Sequence, residues 1–153
     1  MSITRRKVLG SGAGLGAVVV GGGAIVSSVS PAMAAMGEEL ITKFTGGATA
    51  TAGTITLGAP EIAENGNTVP IEISVASAMS ADSYVAEVIV VATGNPSPEV
   101  VTFKFTPSSG EAKASTRIRL AKTQDLIAVA KMSDGSFFTD SKTVKVTIGG
   151  CGG

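Results

Sequence analysis

The side chain best suited to covalent sulfur chemistry is a thiol, and this chain has one. Cys151 sits in the stretch Gly149-Gly150-Cys151-Gly152-Gly153, directly after the alternating run VKVTI. A thiolate attacks oxidised sulfur and can hold the product as a covalent adduct. A cysteine used for packing belongs in a core, and a structural disulfide needs a partner that this sequence does not contain. The 153 residues include no histidine, so a Ser-His-Asp or Cys-His arrangement has no base within the chain. A lone cysteine cannot build a zinc site. The carboxylates are scattered, and no glycine-rich phosphate cradle is present. The chain is therefore expected to carry no cofactor of its own.

The four flanking glycines say how the thiol is offered. Glycine has no side chain and tolerates backbone angles closed to other residues, so residues 149–153 read as a flexible, slender arm. Fully extended, the arm spans roughly 17 Å. Cys151 has no adjacent cation, and the terminal carboxylate nearby disfavours a second negative charge. The expected thiol is a modest nucleophile that is activated inside its partners.

The other end of the chain sets the compartment. Arg5, Arg6 and Lys7 precede an uncharged Gly/Ala/Val-rich run over 8–29, followed by Pro31 and the small-x-small triplet Ala32-Met33-Ala34. That order of zones is an export signal. Arg5 and Arg6 resemble the twin-arginine motif, which routes folded proteins. Cleavage is expected between Ala34 and Ala35, making residues 1–34 the leader; the alternative is retention as a membrane anchor. The leader carries three of the twelve basic residues and none of the twelve acidic ones. A mature chain of about 119 residues thus keeps nine against twelve, a formal charge of −3. That size suits one domain. The charge offers nothing to nucleic acid, and stable membrane association is not expected after cleavage.

A domain over 35–148 must position the arm. Met36, Leu40, Ile41 and Phe44 fall at helical spacing, with Gly46 and Gly47 as a stop, which predicts a short helix docked on the body. TATAGT then reads as a linker. From Thr54 the period becomes two: Ile55 and Leu57; Val69, Ile71, Ile73 and Val75 after an Asn65-Gly66 turn; Val101, Phe103 and Phe105; Ile118 and Leu120. An Asp134-Gly135 turn separates the last two runs. About seven short strands predict an all-β protein, an antiparallel immunoglobulin-like β-sandwich. One run, YVAEVIVVATG, is apolar on both faces. Val85, Ile89 and Val91 share the face opposite Val88 and Val90, and are covered either by the N-terminal segment or by a partner polypeptide.

An export leader with paired arginines, a β-sandwich lacking any other cysteine, and a terminal Gly149-Gly150-Cys151-Gly152-Gly153 together resemble the SoxY family of sulfur carriers. The motif match covers five residues at the position where the family has it. The resemblance implies a substrate-carrier protein of the periplasm without its own catalytic centre. It works with a SoxZ-like subunit as a heterodimer, to which Val85, Ile89 and Val91 are candidate contacts. Cys151 would receive thiosulfate as Cys–S–S–SO3⁻ from a SoxXA-like c-type haem enzyme. It would lose sulfate to a SoxB-like dimanganese hydrolase, and in some systems meet a SoxCD-like molybdenum–haem enzyme. The cofactors are the partners' own.

Two other classes compete on the residues alone. A carrier whose active group is a thiocarboxylate at Gly153 needs ATP, which export argues against. An exported structural or adhesive sandwich module could use Cys151 in an intermolecular disulfide. That accounts for the cysteine and leaves the four glycines without a purpose.

Overall fold

A computed structural model describes residues 31–150. Its elements are one helix, α1 (Pro31–Thr45), and nine strands: β1 (Thr51–Ala52), β2 (Ile55–Gly58), β3 (Ile62–Asn65), β4 (Val69–Val75), β5 (Val85–Ala92), β6 (Glu99–Lys104), β7 (Ala112–Ile118), β8 (Gln124–Met132) and β9 (Phe137–Ile148). Arg5 and Arg6 at one end, and Cys151, Gly152 and Gly153 at the other, lie outside the described residues.

The strands form two sheets facing each other. The larger runs β1-β9-β8-β5-β6, with β3 also on β9; the smaller runs β2-β4-β7. Strict alternation made β4 legible: Val69, Ile71, Ile73 and Val75 are buried while Pro70, Glu72 and Ser74 are exposed. These side chains meet Val88, Val90, Leu126, Ala128 and Val144 of the larger sheet in one core. The Asp140 carboxylate crosses between the sheets and accepts the Leu57 N–H at 2.8 Å. The arrangement is the expected sandwich, consistent with an immunoglobulin-like fold, and five of the seven strand pairings among the described residues are antiparallel. The exceptions are β1 and β3, which run parallel to successive parts of β9. Neither short edge strand was expected, because two to four residues carry too little periodicity; their pairing is chosen by the length of β9.

The helix begins earlier than Met36. It already includes Pro31, the first described residue. Gly46 and Gly47 end it at φ 64° and 86°. The Ala34–Ala35 bond therefore lies within α1. Met36 is 47% exposed, and the docked stripe passes instead through the buried Gly37. A Cβ built at Gly37 would stand 3.2 Å from Val91 Cγ1, which is how closely the helix lies on β5. Phe44 meets Phe137 edge-on, with ring centroids 5.9 Å apart.

That docking settles the two-sided strand. Val85, Ile89 and Val91 are 0%, 4% and 0% exposed within this single chain, so their side chains have no surface to offer a partner. Nor do they share one face. Val85 pairs with Met132 and Glu87 with Lys131, leaving Ala86 as the extra residue of a bulge. One extra residue reverses the alternation, so Val85 joins Val88 and Val90 in the core. The candidate partner interface at these three positions is thereby corrected.

Candidate functional site

The last two described residues, Gly149 and Gly150, lead to Cys151, and they are held. Gly150 is buried. Its N–H donates to the Leu120 carbonyl at 2.9 Å, while the Leu120 N–H donates to the Gly66 carbonyl at 2.8 Å. The Gly66 N–H in turn donates to the Ile148 carbonyl at 2.7 Å. Three remote segments thus interlock by backbone alone: the turn after β3, the loop after β7, and the exit of β9.

Only glycine fits there. A Cβ on Gly66 would collide with the Leu120 carbonyl oxygen and lie 2.7 Å from the Gly150 nitrogen. One on Gly149 would collide with the Ala121 carbonyl, and one on Gly150 would lie 2.8 Å from the Gly66 oxygen. Gly66 is absent from the glycines with positive φ, so its role is close approach rather than turn geometry. The expectation that residues 149–153 all belong to a flexible arm is corrected for the first two. Their missing side chains let backbones touch, and valine at Gly150 would damage the fold.

The loop that receives Gly150 is itself fixed by a buried amide pair. Asn95 is 0% exposed and Gln124 2%. The Gln124 amide nitrogen donates to Asn95 Oδ1 at 2.8 Å and to the Lys122 carbonyl at 3.0 Å, while its oxygen accepts the Gly94 N–H at 2.7 Å. Asn95 donates to the Arg119 carbonyl at 2.8 Å and accepts the Ala121 N–H at 3.0 Å. Thr123 Oγ1 accepts the Val146 N–H at 2.9 Å, tying the same loop to β9. Every polar atom of this network is satisfied, which makes a buried polar cluster a rigid one. Sequence reasoning read Gly66 only as a turn residue and missed Asn95 and Gln124. A lone Gln opening an apolar strand was the one available sign.

Among the described residues, no group of three His, Cys, Asp or Glu could hold a metal ion. The resolved pKa perturbation belongs to Asp134, in the β8–β9 hairpin at the opposite end of β9 from Gly150. The Ser136 hydroxyl and backbone N–H lower it from its ordinary value.

A family model described as sulfur oxidation protein SoxY matches residues 41–151, which include the thiol. The chain belongs to the SoxY family. Among solved structures, the sulfur carrier protein SoxY from Chlorobium limicola f thiosulfatophilum is 28% identical, with a TM-score of 0.62 over 75% of this chain and 96% of that one. A superoxide reductase (neelaredoxin) from Ignicoccus hospitalis is 19% identical, with a TM-score of 0.55 over 61% and 79%. A putative superoxide reductase from Thermotoga maritima is 18% identical, with a TM-score of 0.53 over 67% and 89%. At those identities the reductases share the sandwich alone with this SoxY-family chain. No curated protein matches it.

Proposed function

We propose that this SoxY-family protein is a carrier of thiosulfate-derived sulfur on Cys151, working in the periplasm. The observation that carries the proposal is the family match running through residue 151, in a chain with no other cysteine and no histidine. Loading joins the Cys151 thiolate to thiosulfate as Cys–S–S–SO3⁻ and releases two electrons, which pass to a SoxXA-like haem enzyme. Hydrolysis by a SoxB-like enzyme adds water to the sulfonate sulfur. It cleaves the S–SO3 bond, releases sulfate and two protons, and leaves a persulfide on the carrier. A SoxZ-like subunit completes the carrier as a heterodimer, and a SoxCD-like enzyme further oxidises the bound sulfur where one exists.

Tethering has a physical rationale. Thiosulfate is a small, strongly hydrated dianion with few handles for an enzyme site. On a carrier, protein–protein contact supplies recognition and raises the local concentration of the adduct. The leader over 1–34, with Arg5 and Arg6 and cleavage between Ala34 and Ala35, brings the folded carrier to the compartment of its partners. Cleavage there would remove the described part of α1 before Ala35 and leave the Gly37 and Phe44 contacts in place. Gly152 and Gly153 keep the far side of the thiol slim enough for a narrow entrance.

The test is Cys151→Ser in cells grown on thiosulfate, with intact mass of the wild-type carrier measured alongside. Consumption should cease, and wild-type protein should carry a thiosulfonate or persulfide addition at Cys151. Undiminished consumption by the serine variant would end the proposal.

A further inference from the structure

The larger sheet ends on β6, whose free edge is the least guarded among the described strands. β1 and β3 are two and four residues long. On β2 the Leu57 N–H is capped by Asp140, and β7 carries exposed Lys113 and Arg117. Short length, capped amides and edge charges are the usual guards against strand pairing. β6 has six residues without proline and, among the described residues, no strand on its outer side. Its Val101 and Phe103 pack on the core yet stay half-exposed at the open side of the sandwich. We propose that this edge pairs with the same edge of a second copy, antiparallel about a two-fold axis at Thr102, so that two larger sheets become one. Such a dimer goes beyond the carrier reading and does not depend on it.

The bulge in β6 makes the strand complementary to itself in that register. Val90 pairs with Val101 but Val91 with Glu99, which leaves Val100 as the extra residue. Glu99 thereby shares a face with Thr102 and Lys104, and the Thr102 hydroxyl donates to the Glu99 carboxylate at 2.9 Å. Val101 and Phe103 occupy the other face, opposite Val90 and Val88 of the core. Opposed residues of an antiparallel pair lie on one face. An axis at Thr102 therefore sets Glu99 of each copy against Lys104 of the other, and Val101 against Phe103. Opposite charges and aliphatic–aromatic pairs are both favourable across strands. The backbone agrees. The Phe105 N–H turns inward to the Ala86 carbonyl at 3.0 Å, and amides alternate along an antiparallel strand, so Thr102 and Lys104 turn theirs to the open edge. At the axis each Thr102 N–H donates to the Thr102 carbonyl of the other copy. The same patch serves both copies, so the contact closes at two.

Sedimentation equilibrium of the purified protein, with Cys151 kept reduced, tests this. A reversible, concentration-dependent dimer is expected. Glu99→Lys and Lys104→Glu should each weaken it at least about tenfold, because the axis repeats each change and sets like charges face to face. The double variant restores opposite charges and should return the dimer to within about threefold of wild type. Both side chains are exposed, so the variants should melt close to wild type. Amide exchange at Thr102 and Lys104 should slow as wild-type protein is concentrated, a measurement that needs no variant to fold. A monomer at every concentration, single variants that associate like wild type, a double variant that stays weak, or exchange indifferent to concentration would each overturn the dimer. Protection of those two amides only after a SoxZ-like subunit is added would give the edge to that subunit and overturn self-pairing as well.

Discussion

Gln124→Leu shows how the buried amide pair supports the site, because leucine keeps nearly the volume of glutamine and removes only its polar atoms. Three hydrogen bonds are lost, to Gly94, Asn95 and Lys122. A typical intramolecular hydrogen bond contributes about 1 kcal/mol net, and a buried donor left without a partner costs about 1–3 kcal/mol. The Gly94 N–H becomes such a donor, in a segment with no solvent access on either side. Asn95 Oδ1 keeps the Ala121 N–H, so part of the network survives. The expected loss is about 3 kcal/mol. For a domain of this size that corresponds to a fall of about 12 °C in melting temperature. Urea denaturation with an unchanged m-value measures it, since a shift in midpoint alone reports a change in stability. Amide exchange at Leu120 and Gly150 should accelerate in the same variant, because their carbonyl and N–H are aligned by the loop the pair holds. A loss below about 1 kcal/mol would refute the reasoning, because it would mean these buried hydrogen bonds contribute little net stability.

Phe44→Ala should loosen α1, costing about 2 kcal/mol from a half-buried ring and its edge-on contact with Phe137. Dye binding to the uncovered face of Val91 and Ile89 should appear with it, and a helix that stays protected against exchange would contradict this docking. Asp134, whose carboxyl is held low by Ser136, contributes stability that is present above its unfolded value and lost as pH falls through the lower folded one. Asp134→Asn should therefore lose that contribution near neutrality, converge with the wild type at low pH and flatten the stability profile below about pH 4. Parallel acid titrations of the two proteins make the comparison.

Much of the sandwich could be read from residue order because burial in it is one-sided. β4 alternates without error, and the Asp134-Gly135 turn joins β8 to β9 with Gly135 at φ 85°. Reading failed where a single residue changes the phase. Ala86 adds one position to β5, and counting by twos then assigns Val85 to the wrong side. It failed again where a pattern has two physical causes. Glycines at 149 and 150 suit a loose arm and equally suit backbones in contact, and sequence cannot separate the two without knowing that Gly66 lies opposite. The Asn65-Gly66 turn was legible, but not that it carries the chain from the larger sheet to the smaller one. Asn95 and Gln124 were invisible for a related reason, since their meaning is a contact across 29 positions.

The grip on Gly150 has a consequence for biogenesis. Its parts come from positions 66, 120 and 150, so it cannot exist until both sheets have closed and the final strand has been laid in. A half-folded or damaged chain therefore lacks the bonds that hold Gly150 to the Gly66 turn and the Leu120 loop. The backbone leading to Gly150 takes its described form only in the completed sandwich, so its formation and completion of the fold are the same event.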